Sequence, residues 1–308
     1  MAVAGPIGFL RATRPTSRLP PARPPADWPG ARLFRGAGWA ALHSHLTDRE
    51  QNVQVMMRAA PLGNGSHSHA DQNAILIGAY GSPLLVNTGV RPWYGSPFTK
   101  EWYFTTKAHN ALEIDGAGQP KSWEAAGSFV AFKPGDAHDY LVGDATPAYG
   151  DRVSRYRRHL AFLKPDVVVL LDEVRAPKPV PLKFWLHARA PFGIDSGAGR
   201  IELEFERAAL AGVLHAPGGL TIGQTDRYSI PPESGNPEPE WHLWAETLRP
   251  QSDARMVAVF EISRAGRKPA LGKIREGVRG SVVTVEFLRA GRPVRLSFDT
   301  AGPVLTVE

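Results

Sequence analysis

His67, His69 and Asp71 fall at steps of two within the segment Gly63 to Gly89, and on an extended strand that spacing puts all three side chains on one face. Two imidazoles and a carboxylate projecting together can hold a divalent metal, or can polarise and protonate an anionic substrate near neutral pH. The same spacing also suits a polar loop entering a strand, with its histidines in solvent or bonded to nearby backbone. A second polar segment, Thr105 to Asp115, sets His109 beside Asn110 ahead of Ala111, Leu112 and Ile114. It too reads as the approach to a strand, and it makes a third imidazole available.

The elements that would position these residues are short and β-like. Asn52 to Arg58 and Asn73 to Ile77 carry apolar or β-branched residues at strand length, and the latter leads through GAYGS into Pro83 to Asn87, which predicts a β-hairpin. Arg157 to Leu163, Val167 to Val174, Leu182 to His187, Ile201 to Phe205, Met256 to Ile262, Ser281 to Leu288 and Val294 to Phe298 repeat the theme between Gly and Pro turns. No stretch has a long helical period, and strands do not alternate with helices. The fold expected is all-β, a large antiparallel β-sandwich. Residues 13 to 31 are rich in Pro and Arg without a hydrophobic period, so residues 1–31 are expected to form a disordered tail ahead of a sandwich domain at 32–308.

Composition narrows the chemistry. The chain has 308 residues, 43% of them hydrophobic, and its longest wholly apolar run, Val167 to Leu171, is far short of the roughly 20 residues of a spanning helix. No membrane span is expected. Lys and Arg number 36 against 30 Asp and Glu, a surplus that favours acidic partners. Much of it sits at Arg11, Arg14, Arg18, Arg23, Arg32 and Arg35, so purely electrostatic recognition, nucleic acid included, is weakly supported. With no cysteine in the chain, a metal would rest on His, carboxylate or amide ligands. The short apolar stretch Val3 to Leu10 has no charged residue before it and makes a poor secretory signal.

Three separated motifs, HSHADQNAILIGAYG, then LLVNTG, then TTKAHNALEIDGAGQ, resemble the C-terminal β-sandwich domain of the heparinase II/III family of polysaccharide lyases. The stretch from Gly36 to Gln72, RRHLAFLKPDVVVLLDEV and KFWLHA resemble the same domain, so the likeness is strongest over residues 32–190. The resemblance implies β-elimination on acidic, uronate-containing glycans. The proton beside a carboxylate becomes acidic once the carboxylate charge is neutralised, so such a site needs donors at the acid group, a base for the carbon proton and an acid for the leaving oxygen.

By that resemblance His67 matches the active-site histidine, holding the uronate carboxylate or transferring a proton. His69 and His109 match two zinc ligands, and Asn87 stands where the family has an aspartate. An amide oxygen binds metal without charge, so any Zn2+ here is expected to be held more weakly. A simple hairpin register about GAYGS pairs Asn87 with Asn73 rather than His69, so closing this triad needs a bulge or a bent strand. The resemblance also implies an α-helical toroid that supplies a tyrosine base. Only about 35 Pro-rich residues precede the sandwich here, so the chain is expected to be a fragment, to work with a separate helical chain, or to bind without cutting. A periplasmic or cell-envelope location is likewise implied by family.

Tyr94, Tyr103 and Trp93 lie between the second and third motifs and are candidate substrate contacts, weighed against plain aromatic packing, as is Trp102. His43 and His45 read as solvent-facing strand positions. Arg155, Arg157 and Arg158 read as a solvated strand edge or a polyanion contact. Asp115 reads as a turn residue, His187 as a core or sheet-surface histidine with a hydrogen-bond partner, and His215 and His242 as lacking a ligand set. Glu233 to Glu240 reads as an exposed loop. Two other functions stay open. One is a non-catalytic carbohydrate-binding sandwich. The other is a cupin-like metal enzyme, whose strand also carries an HxH pair but whose usual glutamate falls here at Asn73 or Ala74.

Overall fold

The computed structural model describes residues 27–89, 93–232, 239–267 and 271–308. The expected tail lies mostly outside these residues, and the first strand starts at Ala31. In chain order the strands are β1 (Ala31–Phe34), β2 (Trp39–His43), β3 (Val53–Arg58), β4 (Ile75–Ala79), β5 (Ser82–Leu85), β6 (Leu112–Ile114), β7 (Ser128–Lys133) and β8 (His138–Asp144). Next come β9 (Arg155–Leu163), β10 (Val167–Val180), β11 (Leu182–Ala188), β12 (Gly193–Asp195), β13 (Arg200–Phe205), β14 (Ala208–His215) and β15 (Leu220–Thr225). The last are β16 (Trp241–Thr247), β17 (Gln251–Arg264), β18 (Arg275–Arg279), β19 (Val282–Arg289), β20 (Arg292–Asp299) and β21 (Val304–Val307).

These strands form an eight-stranded sheet in the order β12-β13-β14-β17-β10-β9-β8-β7, a five-stranded sheet β1 to β5, and two four-stranded sheets, β15-β16-β11-β6 and β18 to β21. Neighbouring strands pair antiparallel throughout, as across β9, β10 and β17. The eight-stranded sheet is central because both its faces are apolar. Along β10, Val168, Leu170 and Val174 enter one core with residues of the five-stranded sheet and of β11 and β16, while Val167, Val169 and Leu171 enter a second core with β19 and β20. Period-two alternation sends successive residues to opposite faces, so a strand covered on both sides needs an unbroken apolar run. That is the physical meaning of VVVLL.

The expected hairpin forms between β4 and β5 across Tyr80 and Gly81, with a register shift at Ile77 and Gly78 that leaves Leu84 unpaired in the ladder. Both turn residues have positive φ, 53° and 82°, the left-handed pair of a two-residue turn whose twist matches its strands. Downstream of β5 the backbone leaves its partner strand: Val86 N–H donates to the His187 carbonyl (3.0 Å) and Thr88 N–H to the Ala108 carbonyl (3.0 Å). The chain is thereby carried from the hairpin to the segment that ends in His109.

Arg155, Arg157 and Arg158 do not form a solvated edge or an open polyanion contact. They lie on β9 in the middle of the central sheet, where Arg157 pairs with Asp144 (2.8 Å) and Arg155 with Glu173 (3.3 Å). Arg158 is fully buried and forks onto both oxygens of Asp172, with Nε and Nη2 each at 2.8 Å. Its Nη1 donates to the carbonyls of Asn73 (2.7 Å) and Asn110 (3.2 Å). A guanidinium serves here because one planar group can satisfy a carboxylate and two backbone carbonyls at once.

Candidate functional site

The histidine segment is not a strand. Between β3 and β4 the chain runs through turns, with Ser66 and Asn73 at φ of 53° and 61° and local bonds from Ser68 N–H to the Gly65 carbonyl (3.2 Å) and from Ala74 N–H to the Asp71 carbonyl (3.0 Å). His67, His69 and Asp71 therefore share no strand face. Asp71 turns inward, is buried, and meets Arg58 Nε at 2.8 Å. Burial pushes its carboxyl up to about 7 against the opposing pull of Arg58. A cupin-like strand bearing an HxH pair is absent from this segment.

Buried amides hold the segment in place. Gln72 accepts from Ala60 N–H (2.7 Å) and donates to the Ala125 carbonyl (3.1 Å), and Gln119 closes a reciprocal pair with the Gln72 backbone, accepting from its N–H (2.9 Å) and donating to its carbonyl (2.9 Å). Asn110 donates to the carbonyls of Ile75 (2.8 Å) and Val86 (3.0 Å) and accepts from His187 N–H (2.8 Å). One fully buried side chain thus ties β4, the segment after β5, and β11 together. Such a group is fixed by its partners, since leaving them unpaired costs more than the bonds contribute. Spacing gave no sign of these latches, although each amide stands within the motifs.

His109, buried at the end of a short helical turn (Thr106–Ala108), donates from Nδ1 to the Thr105 carbonyl (2.8 Å). Its Nε2 is then the lone-pair nitrogen, and His69 Nδ1 stands 3.0 Å from it as the donor. Burial, and then the neighbouring His69, hold the His109 ring down at about 3, so it is neutral in neutral solution. His69 also takes the edges of Tyr103 and Phe104 at centroid distances of 4.6 and 4.8 Å.

His67 is exposed and lies 4.9 Å, centroid to centroid, from the Tyr94 ring. The Tyr94 hydroxyl donates to the Ser66 carbonyl (2.8 Å). Lys121 donates to the Ser68 carbonyl and holds its ammonium 4.1 Å from the centre of the Phe104 ring. The structure thus gathers His67, His69, His109, Tyr94 and Tyr103, with a lysine beside them. Trp93 is 58% exposed, whereas Trp102 is buried and belongs to the core.

Asn87 is exposed one residue before the Thr88 bond to Ala108. Among the described residues no three His, Cys, Asp or Glu side chains cluster closely enough to hold a metal. The donor set around His109 is two imidazoles 3.0 Å apart with a hydrogen bond between them, and zinc would have to displace that proton.

The remaining histidines fall in the interior or at an edge. His187 and His242, buried on paired strands, face each other with Nδ1 atoms 3.1 Å apart, and Trp185 stacks beside His187. His242 is therefore the partner expected for His187. His43 is half-buried at the end of β2, 2.9 Å from Asn52, and His45 lies in the turn beyond it. His215 meets Glu276 at 3.4 Å. Asp115 does occupy a turn, at φ 57°, and pairs with Lys178. The expected loop Glu233 to Glu240 lies largely outside the described residues, but Glu240 accepts from Gly89 N–H (2.7 Å) and the Tyr228 hydroxyl (2.5 Å).

The architecture and this cluster define a layered antiparallel β-sandwich with histidine-bearing loops in the β3–β4 and β5–β6 connections. Residues 27–271 match the family described as heparinase II/III-like, C-terminal, and the chain belongs to that family. Solved structures share its fold. A heparinase III gene product superposes with TM-score 0.74 at 14% identity, a heparan sulfate lyase mutant from Pedobacter heparinus with 0.72 at 15%, and another heparinase III with 0.72 at 17%. These alignments cover 87 to 88% of this chain and 42% of each of those. The chain therefore spans about two-fifths of their length. No curated protein matches it.

Proposed function

We propose that this sandwich acts on acidic, uronate-containing polysaccharides as the sandwich part of a β-eliminating lyase. One observation carries the reading: an exposed imidazole, His67, sits against Tyr94 beside the half-buried His69 and the buried His109, the three histidines all within the family's motifs. His67 is placed at the uronate carboxylate, where a donated proton stabilises the negative charge that grows as the carbon proton leaves. In the step itself, the base takes the proton at the carbon next to the carboxylate, the electron pair forms a carbon–carbon double bond, and the glycosidic oxygen departs with a proton. No base is assigned within this chain, and the companion helical domain of a longer or separate chain is part of the proposal. Tyr94, Tyr103 and Trp93 are proposed substrate contacts.

Zinc enters only as a structural proposal. His69 and His109 would be its donors, with Asn87 an uncharged third, and the ion would add rigidity behind His67. Calorimetric titration of zinc into the chain is expected to show weak binding that Asn87→Asp strengthens. A periplasmic or cell-envelope setting is proposed from family membership alone.

The test is absorbance of the unsaturated uronate formed from heparan sulfate or alginate, with the chain supplied alone and with a helical domain from a family member. His67→Ala should abolish product while leaving the melting temperature near wild type, since the ring is exposed. Glycan binding without product in either arrangement would reduce the protein to a carbohydrate-binding sandwich.

A further inference from the structure

Trp123 is 59% exposed, yet its position is tightly fixed. A Cβ placed on Gly65 would lie 2.3 Å from both indole fusion carbons, Cδ2 and Cε2, and one on Gly63 would lie 2.2 Å from the Trp123 carbonyl oxygen. An atom equally close to both fusion carbons is above the ring plane, so one indole face rests on the bare Gly65 backbone. The exposure therefore belongs to the opposite face.

The neighbouring backbone is locked around this contact. Asn64, fully buried, donates from Nδ2 to the Pro120 carbonyl (2.6 Å), accepts from Ser122 N–H (2.5 Å), and donates its own N–H to the Ser122 carbonyl (2.8 Å). Gly65 is followed directly by Ser66 and His67, and Lys121, two residues before the indole, bonds to the Ser68 carbonyl. The loop that presents His67 and the loop that presents Trp123 are one rigid unit.

We propose that the open face of Trp123 is a stacking platform for a pyranose ring of an acidic glycan, next to the sugar whose carboxylate meets His67. This rests on the lyase reading above and adds a subsite to it. A pyranose presents a face of C–H groups that packs on an aromatic plane, and an indole already held in one orientation loses little rotamer freedom when it binds. Charge is supplied separately. Lys121 and His67 face the anionic groups, while the Glu124 carboxylate, the nearest negative charge in sequence, is drawn back onto the Ser122 hydroxyl. Two glycines where any side chain would strike Trp123, and a buried asparagine spanning both loops, would be needless for a tryptophan that only filled surface.

The test is calorimetry of the full chain with heparan sulfate and alginate hexasaccharides, with maltohexaose as the neutral control. Trp123→Ala should weaken binding of an acidic hexasaccharide by about 10-fold and Trp123→Phe by less than about 3-fold. Gly65→Ala, which keeps the tryptophan but displaces it, should weaken binding as Trp123→Ala does, and it serves as the second variant should Trp123→Ala fold poorly. Unchanged affinity in Trp123→Ala and Gly65→Ala would overturn the platform and leave the lyase reading standing. Loss of binding in both, without eliminated product from wild type even when the helical domain is supplied, would support the platform while removing the chemistry. Failure of wild type to bind either acidic hexasaccharide would overturn the platform, and failure with the helical domain supplied as well would overturn the lyase reading with it.

Discussion

At the scale of single residues, the polar groups of the motifs divide by burial into those that can meet a ligand and those that hold the loops. His67 and Lys121 are exposed, whereas Gln72, Asn73, Asn110 and Gln119 are buried and bonded mainly to backbone. Asn110→Ala would strand two carbonyls and one N–H, so a loss of about 3 kcal/mol or more is expected in denaturant unfolding. A loss below about 1 kcal/mol would mean that water replaces the amide. Breaking the buried pair with Asp172→Ala should cost about 3–5 kcal/mol, because it leaves the Arg158 charge without its carboxylate. The double change Arg158→Met with Asp172→Leu should recover part of that loss, and a double variant worse than the single would contradict this account of the pair. The three arginines of β9 show what a sequence withholds at this scale. Alternating charges look the same whether they face solvent or distant carboxylates, and the partners Asp144, Asp172 and Glu173 are set by strand order, which local pattern does not encode.

At the scale of elements, legibility followed how strongly burial had marked each strand. The strands buried on both faces, β10 and the middle of β17, could be located from continuous apolar runs, and the β4–β5 hairpin from its turn residues. The β7 and β18 strands bury few residues, so no period marks them. The histidine segment was the reverse case. Its step-of-two spacing imitates a strand, but left-handed residues at Ser66 and Asn73 break the extended backbone and turn Asp71 away from the histidines. The Asn73 turn in turn needs a bare position on β8. A Cβ on Gly143 would stand 2.2 Å from Asn73 Oδ1 and 2.5 Å from Met57 Cε. Gly143→Ala should therefore destabilise by about 1–3 kcal/mol through overpacking, and a melting temperature equal to wild type would show that the turn can shift without loss.

At the scale of the whole molecule, the interior carries several uncharged histidines, and their sum sets how the fold answers acid. Burial lowers His109 to about 3 and His242 to about 4, and it holds His187 well below the ordinary 6.5, helped by its neighbours His242 and His109. In the unfolded chain each ring takes up a proton near 6.5, so the unfolded state binds more protons across the window from about 6.5 down to these folded values. Stability from the three rings is full above that window and declines as pH falls through it. Asp71 acts in the opposite sense, because its folded value of about 7 lies above its ordinary 3.8, so its protonation favours the folded state as pH falls from 7 toward 4. His109 and His242 each forfeit about 2 kcal/mol by pH 5, His187 acts in the same direction, and the carboxyl returns an amount similar to one of them, so the histidines decide the sign. The melting temperature is expected to drop by about 5 °C or more between pH 7 and pH 5. Replacing His187 and His242 together by glutamine removes two of these three rings, leaving His109 with His43 and His159, which burial also lowers, and should flatten that slope even if it lowers stability at pH 7. A slope unchanged in the double variant would place the acid response elsewhere in the molecule.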